Sequence, residues 1–144
     1  MTTAGTVLTP TVDLTEDLVA TLVKRGGYTH PLFHPSPAQQ AEGGSPPLPG
    51  QAVLLLAGGL LEQSGALDRA VALVELREVR FLRMVRAGDV IHVVLVPGDR
   101  RATRSGRLLR DDCWTVLAAG GQPVLRATAV MLMEHEHEPE EQRS

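Results

Sequence analysis

The segment from residue 50 to residue 64, GQAVLLLAGGLLEQS, sets the strongest limit on the fold of this chain. Its apolar residues fall on every side of a helix, and only its end is polar. A helix of this kind belongs in a protein core or in a membrane. The uninterrupted apolar run, Ala52 to Leu61, has ten residues, whereas a membrane-spanning helix needs about 20. We therefore predict a helix buried in a globular domain, with Gly65 as its cap.

The chain after this helix is typical of antiparallel strands separated by turns. Alternating and β-branched residues predict strands over Val71 to Val85, Val90 to Val96, Cys113 to Ala118 and Val124 to Met133. Turns are predicted at Gly88-Asp89, at Pro97-Gly98-Asp99 and, as a hairpin, at Ala119-Gly120-Gly121-Gln122. One buried helix followed by such strands predicts an α+β fold, in which a curved antiparallel β-sheet wraps around one long central helix.

Two elements are predicted before the central helix. The segment from Gly5 to Thr11 predicts an edge strand. Leucines and valines at helical spacing predict a helix over residues 14 to 25, which Gly26-Gly27 ends. The run Asp13-Leu14-Thr15-Glu16 holds two N-cap candidates, and Asp13 with Glu16 resembles a capping box.

Length and charge indicate one domain with a short acidic tail. A chain of 144 residues has the usual length of a single domain, which we place at residues 1 to 133. Five of the 17 acidic residues fall in residues 134 to 144, a segment that we predict to be disordered. The rest has 12 acidic and 13 basic residues and only four aromatic side chains, so we expect no nucleic-acid interface.

The cysteine content and the first residues of the chain bear on its compartment. The single cysteine, Cys113, excludes an internal disulfide and a cysteine-rich zinc module. The first five residues carry no positively charged side chain and no apolar segment follows them, so no secretory signal is predicted. We expect a cytoplasmic protein with no membrane contact, no metal site and no cofactor.

The segment from residue 28 to residue 50 is the expected location of a functional site. Its six prolines exclude long helices and strands. A stretch of this length without regular structure, inside a compact domain, is usually functional or disordered. It contains apolar Leu32 and Phe33 beside His30 and His34, so we expect it to pack onto the domain.

Three stretches of the chain follow one another in an order typical of a known family. Residues 14 to 19, LTEDLV, are similar to its opening helix. Residues 47 to 51, PLPGQ, are similar to the approach to its central helix. Residues 79 to 89, VRFLRMVRAGD, are similar to its strand and turn signature, with Met84 where a proline is common. Over residues 12 to 133 the chain thus resembles the MaoC-like acyl dehydratase and enoyl-CoA hydratase family, which implies a hotdog fold.

The resemblance also implies where the chemistry lies. In that family the pattern Gly-Asp-x-Asn-Pro-x-His follows the first helix, and its aspartate and histidine orient a water and move a proton. The matching stretch here, Gly27 to Phe33, has Tyr28 in place of the aspartate and Phe33 in place of the histidine. Phenylalanine cannot carry a proton, and a phenol is a poor base at neutral pH. Tyr28, His30 and His34 are therefore the catalytic candidates that remain, although a loop histidine is also commonly just solvated.

The start of the central helix is the second part of the implied site. Gly50 matches the family glycine at which backbone amides point toward the thioester carbonyl, where they would stabilise negative charge. Gln51 follows and either binds substrate or serves as a surface or capping residue. Phe33 is expected to line the substrate pocket.

These expectations together predict an enzyme that adds or eliminates water at the α,β-bond of an acyl thioester. The acyl group would be carried on coenzyme A or on an acyl carrier protein, in a specialised biosynthetic pathway, and the enzyme would be a homodimer. Two alternatives stay open, namely a thioesterase or amine-adding variant on the same scaffold, and a non-catalytic acyl-binding or partner subunit. The arginines between residues 100 and 110 have two interpretations. They contact the phosphates of coenzyme A or an acidic carrier protein, or they form a solvated loop.

Overall fold

A computed structural model describes residues 5 to 135 of the chain. Its strands are β1 (Val7–Leu8), β2 (Val12–Asp13), β3 (Ala70–Phe81), β4 (Val90–Ala102), β5 (Leu108–Ala118) and β6 (Gln122–Met133). Its α-helices are α1 (Glu16–Gly26), α2 (Pro37–Ala41) and α3 (Gly50–Gln63), and short 3₁₀ turns lie at Pro31–Phe33 and Ala119–Gly121. Disorder was predicted for the acidic tail, residues 134 to 144. Residues 136 to 144 of this tail lie outside the described part of the chain.

The six strands form one antiparallel sheet in the order β1-β4-β5-β6-β3, and β2 also pairs with β4. Every second side chain of the central strands is buried, as at Val93 on β4 and at Trp114 and Val116 on β5. This alternation gives the sheet one apolar face, against which the helices pack. The predicted antiparallel sheet around one long helix is confirmed.

The long helix α3 confirms the predicted helix but is buried on one face only. Ala57 and Leu61 on that face are fully buried against the sheet. Leu55 on the opposite face is 65% exposed. A single sheet covers only one side of a helix, so among residues 5 to 135 the apolar side chains on the opposite side of α3 are left partly exposed.

The first helix begins and ends at residues that stabilise its ends. The Thr15 side chain accepts a hydrogen bond from the amide of Leu18 at 3.1 Å, so Thr15 is the N-cap. Gly27 ends the helix with φ of 78°, a conformation that favours glycine. The capping box expected at Asp13 is wrong, because Asp13 lies in β2 and pairs with Val90.

Two predicted boundaries in the sheet are also wrong. β4 does not turn at Pro97-Gly98-Asp99 but continues to Ala102, with a bulge between the pairs Pro97–Asp112 and Arg100–Arg110. Gly98 permits the bulge, since a Cβ there would overlap the carbonyl oxygen of Asp111. β3 ends at Phe81 rather than at Val85, because the amides of the next two residues both turn to the carbonyl of Val124.

Candidate functional site

The turn at Gly88-Asp89 fixes the relative positions of α1 and α3. The amide of Gly88 donates to the carbonyl of Leu14 at 2.7 Å, and the amide of Leu14 donates to the carbonyl of Asp89 at 2.8 Å. The amide of Leu48 donates to the carbonyl of Val85 at 2.9 Å. Backbone hydrogen bonds therefore hold the start of α1 and the approach to α3 against one stretch of chain, residues 85 to 89.

The start of α3 carries two backbone amides without an acceptor. Its N-cap, Pro49, has no side chain that accepts a hydrogen bond. The carbonyl of Pro49 takes the amides of Ala52 and Val53, at 2.9 and 3.2 Å. Within residues 5 to 135 the amides of Gly50 and Gln51 have no such partner. The positive end of the helix dipole therefore stays available to an oxygen that carries negative charge.

Gly50, which bears the first of these amides, lines a pocket of about 320 Å³, which we call the α3 pocket. Its walls include Leu32, Phe33, Leu48, Gly50, Val53 and Phe81. The Phe81 ring lies against the backbone of Gly50, since a Cβ at Gly50 would be 2.6 Å from two of its ring carbons. Only glycine at this position lets the aromatic ring form the wall beside the start of the helix.

Two further pockets adjoin α1 beyond its first turn. The larger, about 580 Å³, lies between α1 and the segment after it, and we call it the α1 pocket. Its lining includes Val19, Val23, Lys24, Tyr28, Phe33 and His34. A third pocket of about 390 Å³ lies between α1 and the exposed side of α3, where Tyr28, Gln51 and Leu55 contribute to its lining.

Tyr28 and Phe33 pack against each other where these pockets meet. Their ring centroids are 5.4 Å apart, with an edge-to-face angle of 70°. Both side chains are half-buried. The pair therefore forms an aromatic wall between the end of α1 and the start of α3.

The two histidines both make local hydrogen bonds. The Nδ1 atom of His30 accepts from the amide of Leu32 at 3.0 Å and caps the 3₁₀ turn. His30 is exposed and lines none of the three pockets. His34 uses Nε2 to donate to the carbonyl of Tyr28 at 2.8 Å, because a carbonyl can only accept. In neutral His34 the other ring nitrogen, Nδ1, is then an acceptor.

The structure brings together most of the residues predicted for the site. Phe33 and Gly50 line the α3 pocket, and Tyr28, Phe33 and His34 line the α1 pocket. Gln51 is exposed and joins Tyr28 in the third pocket, whereas His30 stands apart. Their roles in substrate binding or catalysis stay predictions.

Most of the lining residues were not among the predicted ones, and three of them carry an aromatic ring or a charge. Phe81 and Arg83 line the α3 pocket, and Lys24 lines the α1 pocket. Phe81 and Arg83 belong to the stretch that resembles the family signature, which was interpreted only as a strand. Lys24 lies in the last turn of α1, where a lysine is ordinary. Nothing in the local sequence distinguishes it as a pocket residue.

The arginine-rich segment lies at the opposite end of the sheet from the α3 pocket. Leu108 pairs with Met133 at one end of β6, whereas Phe81 pairs with Leu125 near the other end. Arg101 forms an ion pair with Asp111, Nη1 to Oδ1, at 2.6 Å. Within one chain these arginines therefore do not approach the pocket.

Neither membrane-spanning helices nor metal-ligand clusters occur in the part of the chain that the structure describes. No helix there has the length and apolar character needed to cross a bilayer. No three His, Cys, Asp or Glu side chains lie together there as metal ligands would.

Comparison with solved structures identifies the fold. The monoamine oxidase regulatory protein of Archaeoglobus fulgius is 21% identical, with a TM-score of 0.81 over 95% of this chain and 93% of that one. The MaoC-like dehydratase of Rhodospirillum rubrum is 19% identical, with a TM-score of 0.72 over 95% and 96%. The (R)-hydratase of A. caviae, described as involved in PHA biosynthesis, is 18% identical, with a TM-score of 0.68 over 92% and 97%.

No protein-family model and no curated protein sequence matches the chain. At these identities the likeness is one of fold. The chain has the hotdog fold found in MaoC-like dehydratases and (R)-hydratases. The resemblance predicted from the sequence is therefore confirmed at the level of the fold.

Proposed function

We propose that this protein is a hydratase or dehydratase that acts on acyl thioesters. The observation that carries the proposal is that α3 begins with two amides that lack an acceptor among the described residues, and that Gly50, which bears the first of them, lines an apolar pocket. An acyl thioester has an apolar chain and a carbonyl oxygen that gains negative charge when its α,β-bond reacts. The pocket suits the chain, and the amides of Gly50 and Gln51 suit the oxygen.

The reaction requires a proton transfer as well as stabilisation of charge. In hydration, water oxygen bonds to the β-carbon and loses a proton, while the α-carbon gains one. Between these events the charge resides on the thioester oxygen, where the helix amides hold it. The polar groups that we propose for the proton transfer are the Tyr28 hydroxyl and the His34 imidazole, which line the adjoining α1 pocket. His30 stays a third candidate, although it is exposed and would have to move to reach a pocket. His34 would use Nδ1, since Nε2 is bonded to a backbone carbonyl.

One observation favours a second candidate, a non-catalytic acyl-binding subunit. No carboxylate or imidazole lines the α3 pocket among the residues that the structure describes, and Arg83 is the titratable side chain there. A pocket of this composition binds an acyl chain without supplying an acid or a base. This candidate predicts binding of acyl thioesters without turnover.

The proposal includes a homodimer formed through the free edge of β3. This strand has twelve residues and lies at one end of the sheet order. Val71, Leu73 and Val74 are large apolar side chains that it exposes. An exposed apolar edge of this length is a template for another strand, and a two-fold axis lets two identical edges pair antiparallel.

The charges on β3 support a second copy as the partner. The strand carries Glu75, Arg77, Glu78 and Arg80, so acidic and basic side chains occur in equal number. Arg77 donates to the Glu75 carboxylate at 2.9 Å, and this hydrogen bond lowers the pKa of that carboxyl. Antiparallel pairing of two such strands can set acidic groups opposite basic ones, whereas edges that avoid pairing commonly carry lysines. β3 ends at Phe81, so the partner would lie next to the α3 pocket.

A thioester panel tests the proposed activity. The purified protein is incubated with enoyl- and 3-hydroxyacyl-thioesters of coenzyme A and of acyl carrier protein, and products are followed by mass spectrometry. Gain or loss of water supports the proposal. Cleavage of the thioester, or addition of a supplied amine, would instead identify the thioesterase or amine-adding variant. Binding without any product would favour the acyl-binding subunit, and absence of both would contradict all of these functions.

A glycine pair provides the matched variants for this experiment. Gly50→Ala places a methyl group 2.6 Å from two carbons of the exposed Phe81 ring, so the ring or the start of α3 has to shift. We expect thioester binding and turnover to fall at least about tenfold, as for loss of an oxyanion-stabilising contact. Gly58→Ala in the same helix meets no atom within 4 Å and serves as the control. Equal losses in both variants would contradict the role of the start of α3.

The carrier, pathway and location remain part of the proposal. We propose a role in a specialised biosynthetic pathway, because Tyr28 and Phe33 replace the two proton-transfer residues of the family pattern. A cytoplasmic location is consistent with a substrate carried on coenzyme A or an acyl carrier protein. The thioester panel separates the two carriers directly.

A further inference from the structure

The α3 pocket and the α1 pocket meet at one side chain. Among the described residues, Phe33 is the one that lines both. The α3 pocket, about 320 Å³, is lined by Gly50 at the start of α3, and the α1 pocket is larger, about 580 Å³. The Phe33 side chain therefore stands between the proposed carbonyl site and the larger of the two pockets.

Phe33 is held in this place by its neighbours. Its amide donates to the carbonyl of His30 at 3.0 Å in the 3₁₀ turn. The Tyr28 ring contacts it edge to face, and the His30 ring lies 6.5 Å away at 71°. The ring is nevertheless only half-buried and lies outside the fully buried core, so its removal would open space without removing a core side chain.

The α1 pocket beyond Phe33 is suited to an apolar chain. Val19 and Val23 of α1 form one wall, and Pro35 and Pro46 lie among the other lining residues. Its charged side chain, Lys24, comes from the exposed side of α1. Polar side chains, among them His34 and Gln40, also line it. An acyl chain that passed Phe33 would find a larger pocket there than the α3 pocket.

We propose that Phe33 is a specificity-determining residue that separates the two pockets and restricts the protein to short acyl chains. This inference rests on the proposed function, since it places the thioester carbonyl at Gly50 and Gln51. A short chain ends in the α3 pocket, on the near side of the Phe33 ring. A long chain would have to displace the ring from its contact with Tyr28.

Saturated acyl-CoA thioesters test the proposal by binding alone, because they have no α,β-double bond to hydrate. Dissociation constants are measured by calorimetry for a series from butanoyl-CoA to dodecanoyl-CoA. The wild type is expected to bind butanoyl-CoA and to gain nothing from longer chains. Phe33→Ala joins the two pockets and is expected to shift the dodecanoyl to butanoyl affinity ratio by at least about tenfold, since each buried methylene strengthens binding roughly fourfold.

Leu32→Ala is the matched control, because Leu32 belongs to the same 3₁₀ turn and lines the α3 pocket but not the α1 pocket. Its affinity ratio is expected to stay at the wild-type value, and circular dichroism checks that both variants are folded. An unchanged ratio in Phe33→Ala, with butanoyl-CoA still bound, would overturn the inference and leave the proposed function standing. If the wild type binds no acyl-CoA, the proposed function fails, and the same comparison is made with dodecanoate in place of the thioesters.

In that case, a gain of dodecanoate binding in Phe33→Ala but not in Leu32→Ala supports the inference that Phe33 separates the two pockets. The absence of such a gain overturns it.

Discussion

Arg110 and Asp112 are the charged residues most deeply buried in the sheet. Their side chains lie two residues apart on the buried face of β5, and Asp112 is 0% exposed. The guanidinium donates from Nε to Oδ1 at 2.5 Å and from Nη2 to Oδ2 at 2.8 Å. This bidentate geometry satisfies both carboxylate oxygens, which is the condition under which a buried ion pair is tolerated.

Asp112→Ala is expected to lower the free energy of unfolding by about 3–5 kcal/mol, because the Arg110 charge would remain buried without its partner. Urea denaturation monitored by circular dichroism measures the change. Arg101→Ala is the control, since the Arg101–Asp111 pair is more exposed and is expected to contribute only about 0.2–1 kcal/mol. A loss below about 1 kcal/mol in Asp112→Ala would contradict this account of the buried pair.

Thr15 and Asp13 provide a test at the level of the element, because only one of them caps α1. Thr15→Ala removes the side-chain acceptor for the Leu18 amide and is expected to destabilise the protein by about 1 kcal/mol. Asp13→Ala is the matched control, because Asp13 is exposed and lies in β2, outside the helix. The denaturation midpoints of both variants measure the difference. A larger loss for Asp13→Ala would favour the capping box expected from the sequence.

The elements show where local patterns suffice and where they do not. The 3.6-residue periodicity and the two glycines located the end of α1, because helix signals involve residues a few positions apart. The Pro-Gly-Asp run in β4 is locally a turn signal. The residues before and after this run nevertheless pair with β5, and this pairing keeps the run in the strand. Pairing between strands is not local, and here it outweighs the turn preference of the three residues.

Whether the β3 edge pairs with a second copy of the chain is a property of the whole molecule. We expect light scattering to give the mass of two chains for the wild type. Val74→Lys places a charge on the exposed apolar edge and is expected to yield single chains. Leu8→Lys is the control, since Leu8 is a similarly exposed residue at the opposite edge of the sheet. A wild-type mass equal to one chain, or a Val74→Lys variant that still has the mass of two chains, would contradict pairing through β3.

The sequence by itself determined the kinds of elements and their order. The apolar run of α3, the alternation in the later strands and the glycine-rich hairpin each reflect a regular backbone that repeats over a few residues. The order of the recognised stretches was enough to predict the hotdog fold. It also placed the candidate site after α1 and at the start of α3, because Tyr28, Phe33 and Gly50 occupy matching positions in the family pattern.

Only the tertiary structure decided how these residues meet. Phe81 lies against Gly50, and Phe33 faces both pockets, although nothing near these residues in the chain indicates it. The same is true of α3, whose composition suggests burial all round but whose Leu55 side stays exposed in the part of the chain that the structure describes. Close packing joins residues that are distant in sequence, and the volume left between them depends on every neighbouring element at once. For this reason periodicity predicted the helices and strands, whereas the shape of the pockets required the folded chain.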